Sequence, residues 1–258
     1  MQTRMTAPVQ APPAARAPAG GVRLHDVRKT FAPVRRGAEP IAALDGVTLA
    51  ARPGEILAVV GPSGCGKTTL LEILCGLLEP DGGTVDAQPA ALMAQRDLLL
   101  PWASAVDNAA LALRVAGVAR EQARAQATAL LRDFGLAGFE RARPHELSGG
   151  MRQRVAFLRT LLAGAPVLCL DEPFGALDAI SRTDMQAWLA GALAREPRTV
   201  LLVTHDVEEA CVLADRVCVM SSRPGRIVAE LPVALARPRS ATDPELVALR
   251  ARALEALR

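Results

Sequence analysis

The sequence predicts an α/β protein whose core is a parallel sheet covered by helices on both faces. Three apolar segments carry most of this prediction: VLCLDEP at 167–173, TVLLVTHD at 199–206 and RVCVMSS at 216–222. Short, nearly uninterrupted runs of Val and Leu are typical of strands that are buried on both faces. Helical patterns separate these segments, and strands that alternate with helices in this way pair in parallel.

The N-terminal part predicts a leader followed by strands. Residues 1–21 are rich in Pro and Ala and lack the continuous apolar core of a secretory signal, which indicates a disordered leader. Residues 22–31 alternate like a strand, 32–40 have the composition of a loop, and 42–55 predict strand, turn and strand. ILAVV at 56–60 predicts a buried strand, and leucines at 70, 71, 74, 77 and 78 predict a one-faced helix after a glycine-rich turn. PDGG at 80–83 is expected to be a turn.

Helical patterns dominate the middle and the end of the chain. The pattern from residue 97 to about 138 is helical, most clearly at 119–136, where a helix is expected to end at Gly135. Another helix is predicted from MRQRVAFLRTLLAGA at 151–165, so we interpret about 97–155 as a helical insert between sheet elements. We expect a main domain at 22–236 and a tail at 237–258, in which leucines at 246, 249, 254 and 257 predict an amphipathic helix.

The composition favours a packed intracellular protein. Half of the 258 residues are hydrophobic, and 30 basic residues against 27 acidic ones give a net charge of only +3. Such a balanced charge does not indicate nucleic-acid binding, and no apolar run reaches the ~20 residues that a membrane span needs. The five cysteines are isolated in the sequence, so we expect neither a disulfide framework nor a zinc site.

The strongest motif is GPSGCGKTT at 61–69, between the strand at 56–60 and the helix after it. It matches G-x-x-x-x-G-K-S/T, in which backbone N–H groups close around a phosphate chain. Lys67 is expected to reach the β- and γ-phosphate oxygens, and the Thr68 hydroxyl to bind Mg²⁺. The side chains of Cys65 and Thr69 are expected to be bystanders. The predicted phosphate site consists of Gly61, Pro62, Ser63, Gly64, Cys65, Gly66, Lys67, Thr68 and Thr69.

Polar side chains lie directly after two of the predicted strands. Asp171 and Glu172 are adjacent at a strand end, so their side chains point in opposite directions. We expect Asp171 to hold Mg²⁺ and Glu172 to orient or deprotonate an attacking water. His205 ends another strand, where it either hydrogen-bonds the γ-phosphate or has a structural role.

A second candidate phosphate-binding turn is LSGGMRQR at 147–154. It combines a hydroxyl, two glycines and a predicted helix start, whose free N–H groups and partial positive charge favour an anion. The loop at 61–69 already encloses one phosphate chain, so the second turn needs another nucleotide to contact.

In this order, the phosphate loop, LSGGMRQR, LCLDEP, FGALDA and THD resemble the ATP-binding subunit of ABC transporters, over about residues 22–236. The resemblance implies a P-loop NTPase fold: a RecA-like parallel-sheet core, an N-terminal antiparallel β subdomain and an α-helical insert. It implies ATP and Mg²⁺ as cofactors, and a homodimer in which the signature turn of each copy contacts the nucleotide of the other. The signature residues are Leu147, Ser148, Gly149, Gly150 and Gln153.

The same resemblance implies roles for three more residues. Phe31 lies where the family stacks a ring on adenine, although a core aromatic is an equal alternative. Gln95 matches the loop that binds Mg²⁺ and contacts the transmembrane partner, and it would join Glu172 and His205 in catalysis. Asp178 matches the loop that crosses the dimer interface.

A narrower resemblance points to importers of nitrate, taurine, sulfonates and thiamine precursors. It depends on LLLPWASAVDN at 98–108, on the segment after THD, and on LPVALARPRS at 231–240. Leu99, Leu100 and Trp102 would form a patch that receives the permease, unless Trp102 packs within the insert. The resemblance places such a subunit on the cytoplasmic face of the cell membrane, with a periplasmic or extracellular solute-binding protein as an indirect partner. We assign no chemistry to SSRPGRIV at 221–228.

Three alternatives share parts of this pattern. DNA-repair and chromosome ATPases have the LSGG turn but split the core with a coiled coil or carry zinc modules. Soluble translation factors carry two such cassettes, whereas this chain has one. A non-catalytic ATP-binding regulator is disfavoured because Glu172, Gln95 and His205 are all present. The preferred hypothesis is a transport ATPase that powers a separate permease.

Overall fold

The computed structural model describes residues 21–33, 39–175 and 177–258. Except for Gly21, the predicted leader lies outside these residues, as does the middle of the predicted 32–40 loop. The strands are β1 Val22–Phe31, β2 Ile41–Ala51, β3 Ile56–Val60, β4 Gly82–Ala87, β5 Ala90–Met93, β6 Val167–Asp171, β7 Thr199–Thr204, β8 Arg216–Met220 and β9 Ile227–Pro232. The helices are α1 Lys67–Leu74, α2 Ala105–Ala109, α3 Leu111–Val115, α4 Arg120–Asp133, α5 Gly149–Leu161, α6 Ala179–Arg195, α7 Val207–Leu213 and α8 Pro244–Ala256.

The central sheet has six strands in the order β5-β6-β7-β3-β8-β9. All neighbours pair in parallel except β8 and β9, which form an antiparallel edge. Alternate residues of β3 contribute to two hydrophobic clusters on opposite faces, with Ala58 and Val60 in one and Leu57 and Val59 in the other. This arrangement confirms the predicted α/β class, and it gathers the carboxyl ends of β3, β6 and β7 at one edge.

The N-terminal strands form a separate antiparallel sheet, in the order β2-β1-β4. The prediction of a strand, turn and strand at 42–55 is wrong, because β2 runs unbroken from Ile41 to Ala51. Gly46 has φ of 74°, and the pairing of β1 with β2 shifts register several times. The pair Asp45 and Gly46 therefore produces an irregularity within β2 instead of a turn between two strands. Likewise, the predicted turn at 80–83 is shorter than expected, because β4 already begins at Gly82.

Helix α1 is shorter than its leucine pattern suggests. It ends at Leu74, and Gly76 lies just beyond it with φ of 67°. The N–H of Gly76 donates to the carbonyl of Ile73 at 3.1 Å, and that of Leu77 to the carbonyl of Glu72 at 2.9 Å. This is a Schellman ending, which stops a helix by a left-handed residue whatever apolar residues come next. Leu77 consequently lies outside the helix and is 67% exposed.

The helical block α2 to α5 lies between β5 and β6 in the chain. The helical pattern predicted from residue 97 is wrong at its start, because residues 97–104 are irregular and α2 begins only after Ser104, whose hydroxyl accepts from the Asp107 N–H. Buried Asn108 holds this segment in place, since its amide donates to the carbonyls of Leu100, Ala103 and Ser104. The exact limits of the insert remain a prediction.

Helix α8 confirms the predicted C-terminal helix. Its residues Leu246, Leu249 and Ala253 are buried in the same hydrophobic cluster as one face of the central sheet. Leu254, by contrast, is exposed. Helix α8 therefore packs against the main body, and the expected boundary at residue 237 remains a prediction.

Candidate functional site

The glycine-rich loop joins β3 to α1 in a conformation that depends on two glycines. Gly66, the N-cap of α1, has φ of 108°, and a Cβ there would lie 2.7 Å from Leu44 Cδ2 and 2.8 Å from the carbonyl oxygen of Ala43. A Cβ on Gly61 would lie 2.8 Å from the Sγ of Cys65 and 2.9 Å from the carbonyl oxygen of Met220. The close packing around both positions therefore leaves no room for a side chain at either glycine.

Lys67 has a buried ammonium group without a carboxylate partner. Only 5% of the residue is exposed, and Nζ donates to the carbonyl oxygens of Gly61 at 2.8 Å and Pro62 at 3.0 Å. Within the described part of the chain, no acidic group lies within ion-pair distance of Nζ. A buried cation with only neutral partners gains from an anion. The loop thus suits the phosphate chain that its motif predicts.

Thr68 and Asp171 supply oxygen ligands beside this loop. The Thr68 hydroxyl donates to Asp171 Oδ2 at 2.9 Å, and Asp171 is 6% exposed at the end of β6. Burial raises the pKa of the Asp171 carboxyl, and the Thr68 hydrogen bond opposes that rise. A hydroxyl and a carboxylate in contact are the hard oxygen donors that Mg²⁺ prefers.

Two side chains from different loops converge on Glu172. Its Oε2 accepts from Gln95 Nε2 at 3.1 Å and lies 3.2 Å from His205 Nδ1. Glu172 has φ of 43°, and its N–H donates to the carbonyl of Val203 on β7 at 2.9 Å. A non-glycine residue in the left-handed region costs about 1–3 kcal/mol, and such strain is common at active sites. The predicted catalytic set is therefore brought together at one carboxylate.

Gln95 and Glu172, together with Lys67 and Thr68, border an open cavity of about 620 Å³. Phe31 lines its outer wall, is 37% exposed and has the Lys29 Nζ 5.9 Å from its ring centre, so the core alternative for Phe31 is disfavoured. Thr69 lines the cavity, contrary to its expected bystander role, whereas Cys65 is buried beneath the loop. The lining comes from the β subdomain, the phosphate loop, the segments after β5 and β6, and the 221–226 turn. Its residues are Phe31, Ala32, Ile41, Ala43, Ser63, Gly64, Gly66, Lys67, Thr68, Thr69, Gln95, Glu172 and Arg223.

Arg223 and Ile41 were not predicted as site residues. Arg223 belongs to the segment SSRPGRIV, to which the sequence suggested no chemistry, and Ile41 begins β2. Neither residue has a motif around it. Only the packing of the two sheets brings them to the cavity.

The LSGG turn lies outside this cavity. Ser148 is the exposed N-cap of α5, and its Oγ accepts from the Met151 N–H at 3.2 Å. Leu147 and Gln153 are 4% and 3% exposed, so these two predicted signature residues cannot present their side chains to a nucleotide. Gly149 and Gly150 are half-buried, and nothing lies within 4 Å of the Cβ position that Gly150 lacks. The turn is consequently open to an outside ligand.

Asp178 caps α6 in the loop after the catalytic strand. Its Oδ1 accepts from the N–H groups of Ile180 at 3.1 Å and Ser181 at 3.0 Å, and these bonds lower the pKa of the carboxyl. The neighbouring Ile180 is 79% exposed. An exposed apolar side chain beside a fixed cap suits the predicted contact with another molecule.

The three residues of the predicted permease patch differ in exposure. Trp102 is 73% exposed, so it does not pack within the insert, and Leu100 is half-buried. Leu99, however, is 8% exposed and belongs to the core. Leu98, with φ of 45°, is 57% exposed in its place. The positive φ at Leu98 turns successive side chains away from the order that the sequence suggests.

Two arginines of α5 contact the segment that carries this patch, and one of them also contacts the LSGG turn. Arg152 Nε lies 3.1 Å from Asp97 Oδ2, and its Nη1 donates to the carbonyl of Leu147 at 2.7 Å. Arg159 donates to the carbonyls of Asp97 at 2.7 Å and Leu98 at 2.9 Å.

No helix among the described residues is long and apolar enough to cross a membrane.

Comparison with known proteins gives consistent matches. Residues 44–175 match the family model described as ABC transporter. The aliphatic sulfonates import ATP-binding protein SsuB 1 of Rhodococcus jostii (strain RHA1) is 48% identical over 221 residues, covering 83% of this chain and 86% of that protein. The taurine import ATP-binding protein TauB of Chromobacterium violaceum is 44% identical over 234 residues, covering 84% and 90%. A dimeric post-hydrolysis structure of the ATP-binding cassette MJ0796, bound to ADP and Pi, has a TM-score of 0.71 and 29% identity, covering 83% of this chain and 100% of that one.

Proposed function

The chain belongs to the ABC transporter family, and from this membership we propose how its own residues couple ATP hydrolysis to the work of a membrane permease. As a member of that family, it is an ATP-binding and ATP-hydrolysing subunit that dimerises and powers a separate permease. The roles of its individual residues are proposed from the geometry of the site, and its cargo is proposed from the relatives.

The convergence of Gln95 and His205 on one oxygen of Glu172 carries the catalytic proposal. Glu172 orients the attacking water and accepts its proton, and His205 holds the carboxylate and the γ-phosphate in register. The adjacent Lys67 binds the β- and γ-phosphate oxygens in exchange for its two carbonyl partners. Phe31 contacts the base at the outer wall of the cavity.

Mg²⁺ fits the oxygen donors beside the loop. Thr68 and Asp171 would hold the ion, with Gln95 near them, and a bound Mg²⁺ would neutralise charge that builds up on the phosphates. Burial disfavours the ionised form of Asp171 and raises its pKa, and a bound cation would offset that cost.

Ser148, Gly149 and Gly150 are proposed to bind the nucleotide of a second copy. They lie outside the cavity of their own chain, and the open space at Gly150 leaves room for a phosphate to approach the backbone. Each dimer then has two shared sites. ATP binds the closed dimer better than the open one, and this difference in affinity supplies the free energy for moving the permease.

The permease is proposed to dock at Leu98, Leu100 and Trp102, next to Gln95. Arg152 and Arg159 would then transmit its position to the LSGG turn through Asp97. Since the permease spans the membrane, we place this subunit at its cytoplasmic face as a peripheral component. A solute-binding protein on the opposite side is proposed to deliver the cargo.

The proposed cargo is a small sulfonate. Two relatives at 48% and 44% identity are named for import of aliphatic sulfonates and of taurine. Nitrate and pyrimidine precursors are the competing solutes. The test is ATPase activity of the complex reconstituted with its co-purified permease and binding protein: stimulation by sulfonates alone supports the proposal, and stimulation only by a competitor contradicts it.

The shared site is tested with two substitutions. Glu172→Gln is expected to keep MgATP binding but to slow turnover by ~10²–10⁴-fold, so that ATP accumulates in the dimer. Light scattering should then detect an ATP-dependent dimer. Adding Ser148→Arg to Glu172→Gln is expected to leave the ATP affinity of the monomer unchanged and to abolish this dimer. Ser148→Arg alone is expected to abolish cooperative hydrolysis. Loss of ATP binding by the Ser148→Arg monomer would instead place the turn in the nucleotide site of its own chain.

A further inference from the structure

Glu209 is a buried carboxyl group that the catalytic proposal does not use. It lies on α7, is 3% exposed, and its Oε2 accepts from the Thr204 hydroxyl at 2.7 Å. Thr204 Oγ1 also accepts from the Asp206 N–H at 3.0 Å. The two bonds span His205, which lies between Thr204 and Asp206 in the chain, so Glu209 helps to fix the turn that carries the histidine.

The cation that faces Glu209 comes from a different element. Arg182 Nε lies 3.7 Å from Glu209 Oε1, and Arg182 Nη1 lies 3.6 Å from Asp206 Oδ2. The same guanidinium donates from Nη2 to the carbonyl of Leu177 at 3.2 Å, directly before Asp178. One rigid, planar group therefore contacts the loop proposed to meet the second copy and the turn that carries His205.

We propose that Arg182 and Glu209 are positioning residues that connect the Asp178 loop to His205, so that docking of the second copy sets the His205–Glu172 contact. This inference rests on the proposed function, because it assumes the role of His205 and the dimer. His205 is half-exposed and its Nδ1 lies 3.2 Å from Glu172 Oε2, so small movements of its turn change that distance directly. Misplacing a reacting group by about 1 Å can cost ~10²-fold in rate.

The charge on Glu209 makes this connection sensitive to its surroundings. Burial raises the pKa of Glu209 to about 7, while the Thr204 hydrogen bond, Arg182 and His205 lower it and Asp206 raises it. Because Arg182 lowers the pKa of Glu209, any movement of the guanidinium changes the charge of this carboxyl. When Arg182 moves with the Asp178 loop, the carboxyl and the Thr204 hydroxyl bonded to it respond as well.

The test compares ATP hydrolysis by the full-length variants Glu209→Gln and Arg182→Met. Each is expected to lower kcat by ~10-fold with KM for ATP within about twofold of wild type, because the nucleotide contacts are untouched. Arg182→Lys should restore part of kcat, and the double variant should be no slower than the slower single one. Glu208→Gln is the matched control: Glu208 lies one residue away, 41% of its side chain is exposed, and it pairs with Arg250 at 2.7 Å. Its kcat should equal that of wild type.

An unchanged kcat in both single variants, additive losses in the double variant, or a parallel rise in KM would each overturn the inference. Thermal melting identifies a variant that does not fold. In that case the test uses the kcat of the other single variant and of Arg182→Lys. His205→Ala distinguishes failure of this inference from failure of the proposed catalytic role of His205. If it abolishes turnover while Glu209→Gln and Arg182→Met do not reduce it, only the inference fails. If His205→Ala retains full turnover, the catalytic role of His205 fails and the inference fails with it.

Discussion

Glu209→Gln is expected to stabilise the protein at pH 8 but not at pH 5, relative to wild type. The carboxyl is 3% exposed, and burial raises its pKa from an ordinary value of 4.5 to about 7. In the unfolded chain the pKa returns to the ordinary value. Between these two pKa values the native protein binds a proton that the unfolded chain lacks. The stability that this proton contributes is therefore complete below pH 4.5 and is lost as the pH rises through about 7.

The size of the effect can be worked out from the shift. The difference between the pKa of 4.5 in the unfolded chain and about 7 in the folded protein corresponds to roughly 3–4 kcal/mol, at ~1.4 kcal/mol for each pH unit. Gln does not titrate and can still accept the Thr204 hydrogen bond through its amide oxygen. The free energy of unfolding of Glu209→Gln minus that of wild type should therefore rise by about 2–3 kcal/mol between pH 5 and pH 8.

Urea unfolding of the nucleotide-free chain measures this difference. Trp188 is a suitable fluorescent probe, because its ring packs edge-on against Phe134 at 5.7 Å and Phe157 at 5.4 Å. Contributions from the other titrating groups cancel when variant and wild type are compared at each pH. Glu208→Gln, at a partly exposed position of the same helix, should give a difference that is flat with pH. A flat difference for Glu209→Gln as well, within about 0.5 kcal/mol, would refute the reasoning.

Two further substitutions test the loop and the permease patch. Gly66→Ala should lower ATP affinity by ~10-fold or more in a binding titration, because its Cβ would lie 2.7 Å from Leu44 Cδ2 at a φ of 108°; unchanged affinity would show that the loop tolerates the shift. Trp102→Ala should keep ATP affinity and folding but lose co-purification with the permease, since Trp102 is 73% exposed. Leu99→Ala, at a buried position, should instead lower the melting temperature; equal permease loss without destabilisation would contradict the assignment of Leu98 and Trp102 as the docking surface.

Much of the nucleotide site could be predicted because its parts are short in sequence. The loop at 61–69, the pair Asp171 and Glu172, and His205 each come after a strand whose apolar run is visible in the sequence. The strands are parallel, so their carboxyl ends meet at one edge, and the order of the motifs suffices to bring these residues together. The convergence of Gln95 and His205 on Glu172 agrees with that expectation.

Predictions failed where a single backbone residue overrides a side-chain pattern. The leucine series of α1 continues past Leu74, but Gly76 ends the helix in a left-handed conformation. Leu99 belongs to an apolar run that suggested a surface patch, but the positive φ of Leu98 turns Leu99 into the core. Hydrophobic spacing reports the average direction of side chains and does not register one residue that leaves the regular conformation.

The sequence by itself determined the fold class, the phosphate loop and the residues at the ends of the central strands, because these depend on contiguous segments and on parallel pairing. Only the tertiary structure decided that Arg223 reaches the cavity, that Gln153 is buried, and that Arg182 faces Glu209. Those contacts join elements that are distant in the chain. The geometry of these contacts is set by how the helices pack on the sheet. No short segment determines that packing by itself, because each contributes only a small part of the free energy of folding.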